Sequence, residues 1–338
     1  MDQIIDESLS LLEALSEAAL LASGGRVIAF NAAAQALLGP SIEGASLEQI
    51  ISHPAAIEAL ERSGQDSAEG IELTGLGGSR RHWLMQFAKI GNQAVLVRFV
   101  DRSEARAAEQ MRVDFVANAS HELRTPLSTL IGYTETLREQ ADELDGETRE
   151  RFLSVVHEEA RRMQRIVEDL ISLSRIEAEK FTAPTQAIEL AALVDQAIAG
   201  AERIAAERGS TLVSKVAPGL PGIAADRSQI LQLLDNLLMN ALRYGDPGTP
   251  VTVAAEVEGG MVHLTVADEG EGIAPEHIGR VTERFYRVDT SRSRSLGGTG
   301  LGLSIVKHIV ERHRGRLSID SELGRGTTIH VLLPLSVS

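Results

Sequence analysis

Two stretches near the middle of the 338-residue chain repeat apolar residues at alternating three- and four-residue steps, the spacing that lines one face of an α-helix. They are separated by a polar turn around residues 142–147. The pattern predicts an antiparallel helical hairpin. Because one hairpin cannot bury so long an apolar seam, it also predicts a homodimer joined through a four-helix bundle. The seam residues are Val113, Val116, Leu123, Leu127, Leu130 and Leu137, then Phe152, Val156, Met163, Val167, Leu170 and Leu173.

The first hairpin helix carries polar residues outside its apolar face. His121 and Thr125 are four positions apart, so we expect their side chains on the same exposed side of the helix. Pro126 removes one backbone hydrogen bond at a cost of roughly 3 kcal/mol and predicts a bend beside His121. Neither glycine nor proline occurs between Asp101 and Pro126, which favours one helix that continues out of the preceding domain.

The pattern before and after the hairpin predicts two mixed domains. In the first we expect a helix at 1–20, strands around a glycine turn at 18–31, a helix at 32–38 ended by Gly39-Pro40, and hairpin strands at 73–87 and 92–100 around Gly91-Asn92. After a linker at 181–186 we expect helices at 190–207, 227–243 and 304–313 and strands at 210–216, 251–256, 261–268, 316–320 and 327–333.

These elements predict a multidomain α+β protein. We expect residues 1–103 to form a mixed α/β domain, residues 104–180 the helical hairpin, and residues 187–338 an α/β sandwich with helices on one face of a sheet.

Composition narrows the possible partners. A formal net charge of −15 opposes a phosphate backbone, so we expect no nucleic-acid partner. The chain has no cysteine, which excludes disulfides and thiolate metal sites and suits a reducing compartment. No window offers 18 uninterrupted apolar residues. We therefore expect a cytoplasmic chain as given, with membrane association only through a segment outside it.

Three stretches of the last domain suggest a nucleotide site. Asn236 and Asn240 share one helix face and could supply amide oxygens to Mg²⁺, with Arg243 one turn further on as a phosphate ligand. Asp268 follows a strand beside glycines and could accept the amino group of adenine. A glycine-rich segment at 297–303 precedes a helix, where backbone N–H groups favour phosphate, but it lacks the lysine of a P-loop.

Together these motifs resemble those of sensor histidine kinases with a HisKA-type dimerisation domain and a GHKL-type ATP-binding domain. They occur in the family's order over residues 104–335 and comprise His121-Glu-Leu-Arg-Thr-Pro-Leu127, Asn236 to Tyr244, Asp268-x-Gly270-x-Gly272, Arg284-Phe285-Tyr286-Arg287 and Gly298-Thr-Gly-Leu-Gly302-Leu. The first domain resembles a PAS sensor in its strand pair, the stretch Asn31–Gly39 and a last strand that runs into Asp101-Arg102-Ser103. With this PAS-like N-terminal domain, the chain is similar to phosphate-regulon-type sensor kinases.

The resemblance implies a role for each matching residue. His121 would accept the γ-phosphoryl group of ATP, Glu122 would polarise its imidazole, and Thr125 would place the water that removes phosphate from a partner regulator. Asn240 would hold Mg²⁺ with help from Asn236. The remaining nucleotide-binding residues would be Asp268 at the adenine amine, Gly270 and Gly272 around that pocket, Tyr244 beside the base or ribose, Arg243 and Arg287 at the phosphates, and Gly298, Thr299, Gly300, Leu301 and Gly302 in a lid.

The implied activity is an ATP-dependent histidine kinase that passes phosphate from His121 to an aspartate in the receiver domain of a response regulator, and that also acts as the phosphatase of that regulator. Two alternatives stay open at this point. One is a scaffold that has lost catalysis and only docks a regulator, and the other is an ATPase or chaperone of the wider fold. The sequence does not identify the signal, the regulator, the cis or trans course of phosphorylation, or a membrane anchor.

Overall fold

A computed structural model describes residues 11–51, 53, 56–57, 70–76, 80–90, 94–140, 142–288 and 298–336. The chain divides into two compact units, residues 1–116 and 117–338, called here the first and second units. The boundary falls within a helix that begins at Ser103. The predicted hairpin from residue 117 onward and the predicted last domain share the second unit. Within the described ranges, no helix is both long and apolar enough to cross a membrane.

The first unit is built on an antiparallel sheet with described strand order β2-β1-β5-β4-β3. Its strands are β1 (Ala18–Ser23), β2 (Arg26–Phe30), β3 (Ile71–Thr74), β4 (His82–Ile90) and β5 (Ala94–Asp101). Helix α1 (Ala32–Leu38), a 3₁₀ turn (Pro40–Ile42) and α2 (Leu47–Ile50) follow β2. Alternate side chains such as Leu20, Met85 and Phe99 are buried in the core.

The predictions for this unit have mixed outcomes. Helix Ala32–Leu38 and its end at Gly39 are confirmed. The predicted N-terminal helix was too long, because only residues 11–13 of its described part are helical and β1 already begins at Ala18. Residues 1–10 and the turn at Gly91-Asn92 lie outside the described residues.

Asn31 joins three segments of the first unit through one buried side chain that is 1% exposed. Its Oδ1 accepts the N–H of Ala34, which caps α1, at 2.9 Å, and the N–H of Ala19 in β1 at 3.0 Å. Its Nδ2 donates to the carbonyl oxygens of Leu12, Leu15 and Glu17 at 3.1, 3.2 and 2.7 Å. The Asn31 amide, together with the ion pair between Glu17 and Arg98 of β5, therefore holds the segment that precedes β1 to the sheet.

The hairpin consists of α3 (Ser103–Glu139) and α4 (Gly146–Ala178). The predicted continuous helix is confirmed, since α3 runs unbroken from Ser103, and it remains helical through Pro126. Asp145 caps α4 by accepting the N–H of Thr148 at 2.7 Å. Several seam side chains are exposed in the single chain, among them Leu127 at 46% and Val167 at 42%.

The rest of the second unit is a sheet with described order β11-β12-β10-β9-β7, in which β7 and β9 are parallel and the other pairs antiparallel. Helices α5, α6 and α8 bury apolar side chains against one face. The elements are β6 (Ala187–Ile188), α5 (Leu190–Glu207), β7 (Thr211–Val216), β8 (Ile223–Ala224), α6 (Arg227–Tyr244), β9 (Pro250–Glu258), β10 (Met261–Asp268), α7 (Pro275–Ile278), α8 (Gly302–Arg312), β11 (Arg316–Glu322) and β12 (Gly326–Pro334). The predicted sandwich is confirmed, and sequence analysis missed only short β6, β8 and α7 among these.

Candidate active site

A cavity of about 620 Å³ lies in the second unit, between α6, the end of β10, the start of α8 and the hairpin helix α4. Its size is that of a small-molecule or cofactor site. Most residues predicted to bind nucleotide line this cavity, although they come from distant parts of the chain. They are Asn236, Asn240, Arg243, Tyr244, Asp268, Gly272, Arg287, Gly298, Thr299, Gly300 and Gly302.

Helix α6 presents its polar side to the cavity because its other side is apolar. Leu233, Leu234 and Leu238 are buried away from the cavity, whereas Asn236 and Asn240 line it. The first residue of α8 approaches both amides closely. A Cβ on Gly302 would lie 3.0 Å from Asn236 Oδ1 and 3.7 Å from Asn240 Nδ2. A glycine at this position lets α8 begin directly beside the two amides.

Asp268 ends β10 and places its carboxylate in the cavity. The pKa of Asp268 is raised to about 6, mainly by burial and to a smaller extent by the charge of Asp246, while the hydrogen bond from the Thr327 N–H opposes the rise. The Thr327 N–H donates to Asp268 Oδ1 at 3.3 Å and orients the group. The result is a partly desolvated acceptor with one fixed partner.

The glycines after Asp268 allow backbone segments to pack together behind the cavity. A Cβ on Gly270 would lie 2.2 Å from the carbonyl oxygen of Tyr244, and one on Gly272 would lie 2.1 Å from that of Glu322. Gly272 also has a φ of 69°. Gly272 lines the cavity, whereas Gly270 is absent from its lining and acts through the packing of Tyr244.

Three guanidinium groups lie close together at the cavity. Arg243 and Arg287 were predicted there, and Arg165 of α4 joins them. Burial lowers the pKa of Arg243, and the charges of Arg165 and Arg287 lower it further, while Tyr244 acts in the opposite direction. Such a concentration of positive charge fits a polyanionic ligand.

Sequence analysis missed the contribution of α4 to this cavity. Arg165, Glu168 and Asp169 all line it. In the sequence these residues fall outside the apolar seam, where charged residues of any exposed helix face would also fall. Only the packing of α4 against the last domain distinguishes them.

The predicted lid segment contacts α4 directly. Thr299 Oγ1 donates to Asp169 Oδ2 at 2.8 Å and accepts the N–H of Leu301 at 3.2 Å. Leu301 was predicted to contact the nucleotide, but its side chain is fully buried in the core and does not line the cavity. The prediction followed from the position of Leu301 in a glycine-rich motif, and such a motif does not reveal which side chains turn inward. Gly297 lies outside the described residues.

Further polar contacts fix α4 against the rest of the second unit. Ser172 Oγ donates to Gln232 Oε1 at 2.7 Å, and Arg312 Nη2 lies 2.6 Å from Glu179 Oε2. Arg284, from the predicted Arg284–Arg287 motif, pairs with Glu177. Sequence analysis did not predict any of these pairs, because each joins residues at least 60 positions apart.

Tyr286 belongs to a polar group on another wall of the cavity. Its hydroxyl lies 2.7 Å from His277 Nδ1, and the guanidinium of Arg280 lies 4.3 Å from the centre of its ring. His277 and Tyr286 both line the cavity. The cation–π contact and the hydrogen bond hold the ring in one orientation.

The three residues predicted for phosphotransfer lie on α3 and outside the cavity lining. His121 and Thr125 are exposed, and Thr125 Oγ1 donates to the His121 carbonyl at 3.4 Å. The Glu122 carboxylate contacts Arg287 at 2.9 Å and Arg162 of α4 at 3.2 Å. Consecutive side chains on a helix point in different directions, which places Glu122 on the arginines while His121 faces solvent. Glu122 is thus joined to the cavity through Arg287.

A helical hairpin with an exposed histidine, next to a cavity that combines helix amides, a strand-end carboxylate and a glycine-rich helix start, defines the protein as a histidine kinase. Comparison with known families supports this class. Residues 111–179 match the His Kinase A (phospho-acceptor) domain, and residues 225–337 match the family described as Histidine kinase-, DNA gyrase B-, and HSP90-like ATPase.

The chain belongs to the sensor histidine kinases. It is 34% identical over 332 residues to the phosphate regulon sensor protein PhoR of Pseudomonas aeruginosa, a match that covers 97% of this chain and 74% of the relative. It is 37% identical over 244 residues to sensor protein SrrB of Staphylococcus aureus, covering 72% of this chain and 42% of the relative. The chain therefore spans less than half of SrrB. As the family implies, the last domain is an ATP-binding domain.

Solved structures share the fold. The Acinetobacter baumannii histidine kinase AdeS aligns with a TM-score of 0.52 and 23% identity, covering 64% of this chain and 98% of that one. Histidine kinase ThkA, solved in complex with response regulator protein TrrA, aligns with a TM-score of 0.50 and 20% identity over 96% of this chain and 98% of that one.

Proposed function

We propose that this chain transfers the γ-phosphoryl group of ATP to His121 and then passes it to an aspartate in the receiver domain of a response regulator. The observation that carries the proposal is the cavity in which Asp268, two helix amides and three guanidinium groups come together. A purine amine needs an acceptor and a triphosphate needs cations, so ATP satisfies both parts of the cavity.

Adenine recognition rests on Asp268. Its carboxylate can accept the exocyclic amine of adenine while the Thr327 N–H holds it in place at 3.3 Å. Tyr244 lines the cavity beside Arg243 and would flank the base or ribose. Gly270 and Gly272 support this part of the cavity by allowing the chain to pack closely behind it.

Phosphate recognition rests on the cationic groups and on α6. Arg243 and Arg287 would neutralise the phosphates, and Arg165 adds a third guanidinium from α4. Asn240, assisted by Asn236, would hold Mg²⁺, because amide oxygens suit a small hard cation that keeps water and phosphate oxygens as its other ligands. A bound Mg²⁺ would supply further positive charge to the transferring phosphate. Thr299, Gly300 and Gly302 would close over the phosphates from the start of α8.

Phosphoryl transfer would form a bond between a ring nitrogen of His121 and the γ-phosphorus, while the bond from that phosphorus to the β–γ bridging oxygen breaks and ADP leaves. The imidazole proton would pass to Glu122, which acts as the base. In the arrangement described here, Arg162 and Arg287 hold the Glu122 carboxylate. Glu122 must therefore turn from the arginines towards His121 before the step.

The second substrate is a receiver domain. His121 and Thr125 are both exposed on α3, which leaves them accessible to another protein. The phosphoryl group would move from the His121 nitrogen to an aspartate oxygen of the regulator, restoring the imidazole. Thr125 would position a water that later hydrolyses the aspartyl phosphate, which makes the chain a phosphatase as well as a kinase.

The active form would be a homodimer. Leu127, Val167 and Ile171 are 46%, 42% and 49% exposed, although their spacing is that of a packed helical seam. A contiguous apolar face of this kind on two paired helices is covered most simply by a second copy.

Incubation with γ-labelled ATP tests the proposal. The chain should acquire an acid-labile, base-stable label, and His121→Ala should acquire none. His157→Gln, which changes an exposed histidine on α4, serves as the matched control and should be labelled normally. A label that persists in His121→Ala would refute the assignment.

Measurements of ATP binding and of phosphate release, made beside the labelling experiment, separate the two alternatives. A docking scaffold would fail to bind ATP at millimolar concentration with or without Mg²⁺. A general ATPase would release phosphate continuously while no labelled protein accumulates. Transfer of the label to a receiver domain, with loss of the label from His121, would exclude both.

A further inference from the structure

The Glu122 carboxylate is held by two guanidinium groups that are themselves buried. Its Oε2 accepts from Arg162 Nη2 at 3.2 Å and from Arg287 Nη2 at 2.9 Å. The side chains of Arg162 and Arg287 are only 9% and 5% exposed, whereas that of Glu122 is 20% exposed. When Glu122 turns towards the exposed His121, both arginines remain in the interior. Each of them then needs another anion, because a buried charge that has lost its partner is strongly unfavourable.

Glu122 is also the counter-charge that the two arginines share. Burial lowers the pKa of Arg287, the charge of Glu122 opposes that change, and the charge of Arg162 lowers the pKa further. The two guanidinium groups are therefore close enough to repel each other. When Glu122 leaves, both lose their counter-charge at once, so one replacement anion is required for each arginine.

Arg287 has a replacement in the nucleotide. It lines the cavity, where a phosphate group of ATP would pair with its guanidinium. Arg162 is absent from the cavity lining, so the phosphates do not serve it in the same way. The replacement for Glu122 at Arg162 must therefore be a side chain of the protein.

Glu159 is the side chain in the right place. It precedes Arg162 by three positions on α4, and a long helical side chain extends over the turn before it, so Arg162 reaches back towards Glu159. Glu159 Oε2 lies 3.8 Å from Arg162 Nη1, an ion-pair distance that is too long for a hydrogen bond. This oxygen is buried and, within the described part of the chain, has no hydrogen-bond partner. A displacement of about 1 Å would complete the bond and satisfy it.

We propose that Glu159 is a positioning residue for phosphorylation of His121, because it takes over the Arg162 guanidinium when Glu122 turns to the imidazole. Arg162 is then the residue that holds Glu122 away from His121 until that exchange. The inference rests on the proposed function, in which Glu122 is the base. It requires opposite effects from two neighbouring residues, since loss of the Glu159 charge keeps Arg162 on Glu122 and loss of Arg162 releases Glu122.

Single-turnover labelling of the full chain at saturating ATP, with ATP affinity measured separately, tests the proposal. Glu159→Gln should phosphorylate His121 about tenfold more slowly and Arg162→Met about fivefold faster, each with ATP affinity within about twofold of wild type. Glu158→Gln, at the neighbouring exposed position on α4, is the matched control and should react as wild type does. Damage to the fold would not accelerate the reaction at unchanged affinity.

The double variant Arg162→Met/Glu159→Gln shows whether Glu159 acts through Arg162. It should react as fast as Arg162→Met alone, because without the arginine the charge of Glu159 has no role in the exchange. This variant also lacks the buried carboxylate that Arg162→Met leaves without its cation. If Arg162→Met fails to fold, the double variant still has to react faster than Glu159→Gln.

Three results would overturn the inference while Glu122→Gln remains slow. They are a wild-type rate in Glu159→Gln, slower phosphorylation in the folded variants that lack Arg162, and a double variant as slow as Glu159→Gln. A wild-type rate in Glu122→Gln is a different failure, because it would refute the assignment of the base in the proposed function and with it the reason for the exchange.

Discussion

Thr299 donates a hydrogen bond of 2.8 Å from its Oγ1 to Oδ2 of Asp169, which joins the glycine-rich start of α8 to the hairpin helix α4. Burial raises the pKa of Asp169, and the hydrogen bond from Thr299 partly opposes that rise. The hydrogen bond from Thr299 favours the ionised carboxylate, whereas the partial burial of Asp169 opposes its ionisation more strongly. The glycine-rich start of α8 is therefore attached to α4 through a carboxylate whose burial opposes its ionisation.

Replacing Asp169 should strengthen the packing of the glycine-rich segment on α4 when the new residue is a neutral acceptor, and weaken it when the new residue has no acceptor. Because burial raises the pKa of Asp169 in the packed state, the packing that buries this carboxyl group is favoured at low pH and loses that contribution as pH rises through the raised value. Asp169→Asn keeps an acceptor for Thr299 without the buried charge. We expect hydrogen exchange at residues 298–303 to slow a few-fold at pH 7.5 in Asp169→Asn and to accelerate in Asp169→Ala. Equal exchange in the two variants would contradict this.

Asp268 should show opposite effects on stability and on nucleotide binding. Its folded pKa of about 6 exceeds the ordinary 3.8, so it contributes stability below the ordinary value, and this contribution is lost as pH rises through about 6. Asp268→Asn should therefore raise the thermal midpoint at pH 7.5 while it reduces ATP affinity by at least about tenfold.

The pH dependence of adenosine binding gives a second test of Asp268. Adenosine has no phosphates, so its own charge does not interfere. Since only the ionised carboxylate accepts the adenine amine, affinity should fall about tenfold for each pH unit below about 6. Asp268→Asn should abolish that slope. A slope that survives in the variant would assign the titration to another group.

Glu122→Gln should slow phosphorylation of His121 by about 100-fold, the contribution expected of a general base. ATP affinity should be retained or improved, because the change leaves the cavity side chains in place and relieves Arg287 of a charged partner. Single-turnover labelling with saturating ATP measures the rate. Glu158→Gln, at an exposed position on α4, is the matched control and should behave as wild type.

Asn31→Ala should destabilise the first unit by about 3 kcal/mol. The change removes an N-cap and leaves the Ala19 N–H and the carbonyl oxygens of Leu15 and Glu17 without their described partner, while the Leu12 carbonyl keeps only the Leu15 N–H. Chemical denaturation of the chain, followed by the fluorescence of Trp83 in β4, measures the loss. Asn31→Asp keeps the acceptor for Ala19 and Ala34 but turns a buried carboxylate oxygen towards three carbonyl oxygens, so at pH 7 it should destabilise the unit at least as much as alanine does.

Val167→Glu should convert the chain to a monomer. The side chain is 42% exposed in the single chain, so the change costs little within one copy but places a charge in the seam that a second copy would cover. Sedimentation velocity distinguishes the two states. Ile90→Glu, at a 49% exposed position on the sheet of the first unit, should leave the association unchanged. A wild-type chain that sediments as a monomer would remove the basis of the proposal.

Local patterns were enough to predict those parts of the fold that depend on neighbours in the sequence. The four-residue step from Asn236 to Asn240 predicted that both amides leave α6 on one side, and both line the cavity. The alternation in 261–268 predicted β10 to the residue. Helical and strand periodicity are properties of consecutive residues, and a single sequence contains them in full.

The contacts of α4 could not be predicted in this way. Arg165 and Asp169 have the pattern of ordinary exposed residues, and their place at the cavity follows from the packing of α4 against a domain whose first strand begins at Ala187. The prediction that Leu301 contacts the nucleotide was wrong for a different reason. A glycine-rich motif indicates backbone freedom, but it does not indicate which side chain packs into the core.

Arg287 lines the nucleotide cavity and also pairs with Glu122. Phosphate binding by Arg287 and release of Glu122 from Arg287 are therefore thermodynamically linked. A phosphate that draws the Arg287 guanidinium must weaken its hold on Glu122, and whatever engages Glu122 elsewhere must, by the same amount of free energy, make Arg287 more available to a phosphate. Loading the nucleotide and releasing the base would then be a single equilibrium observed from its two sides.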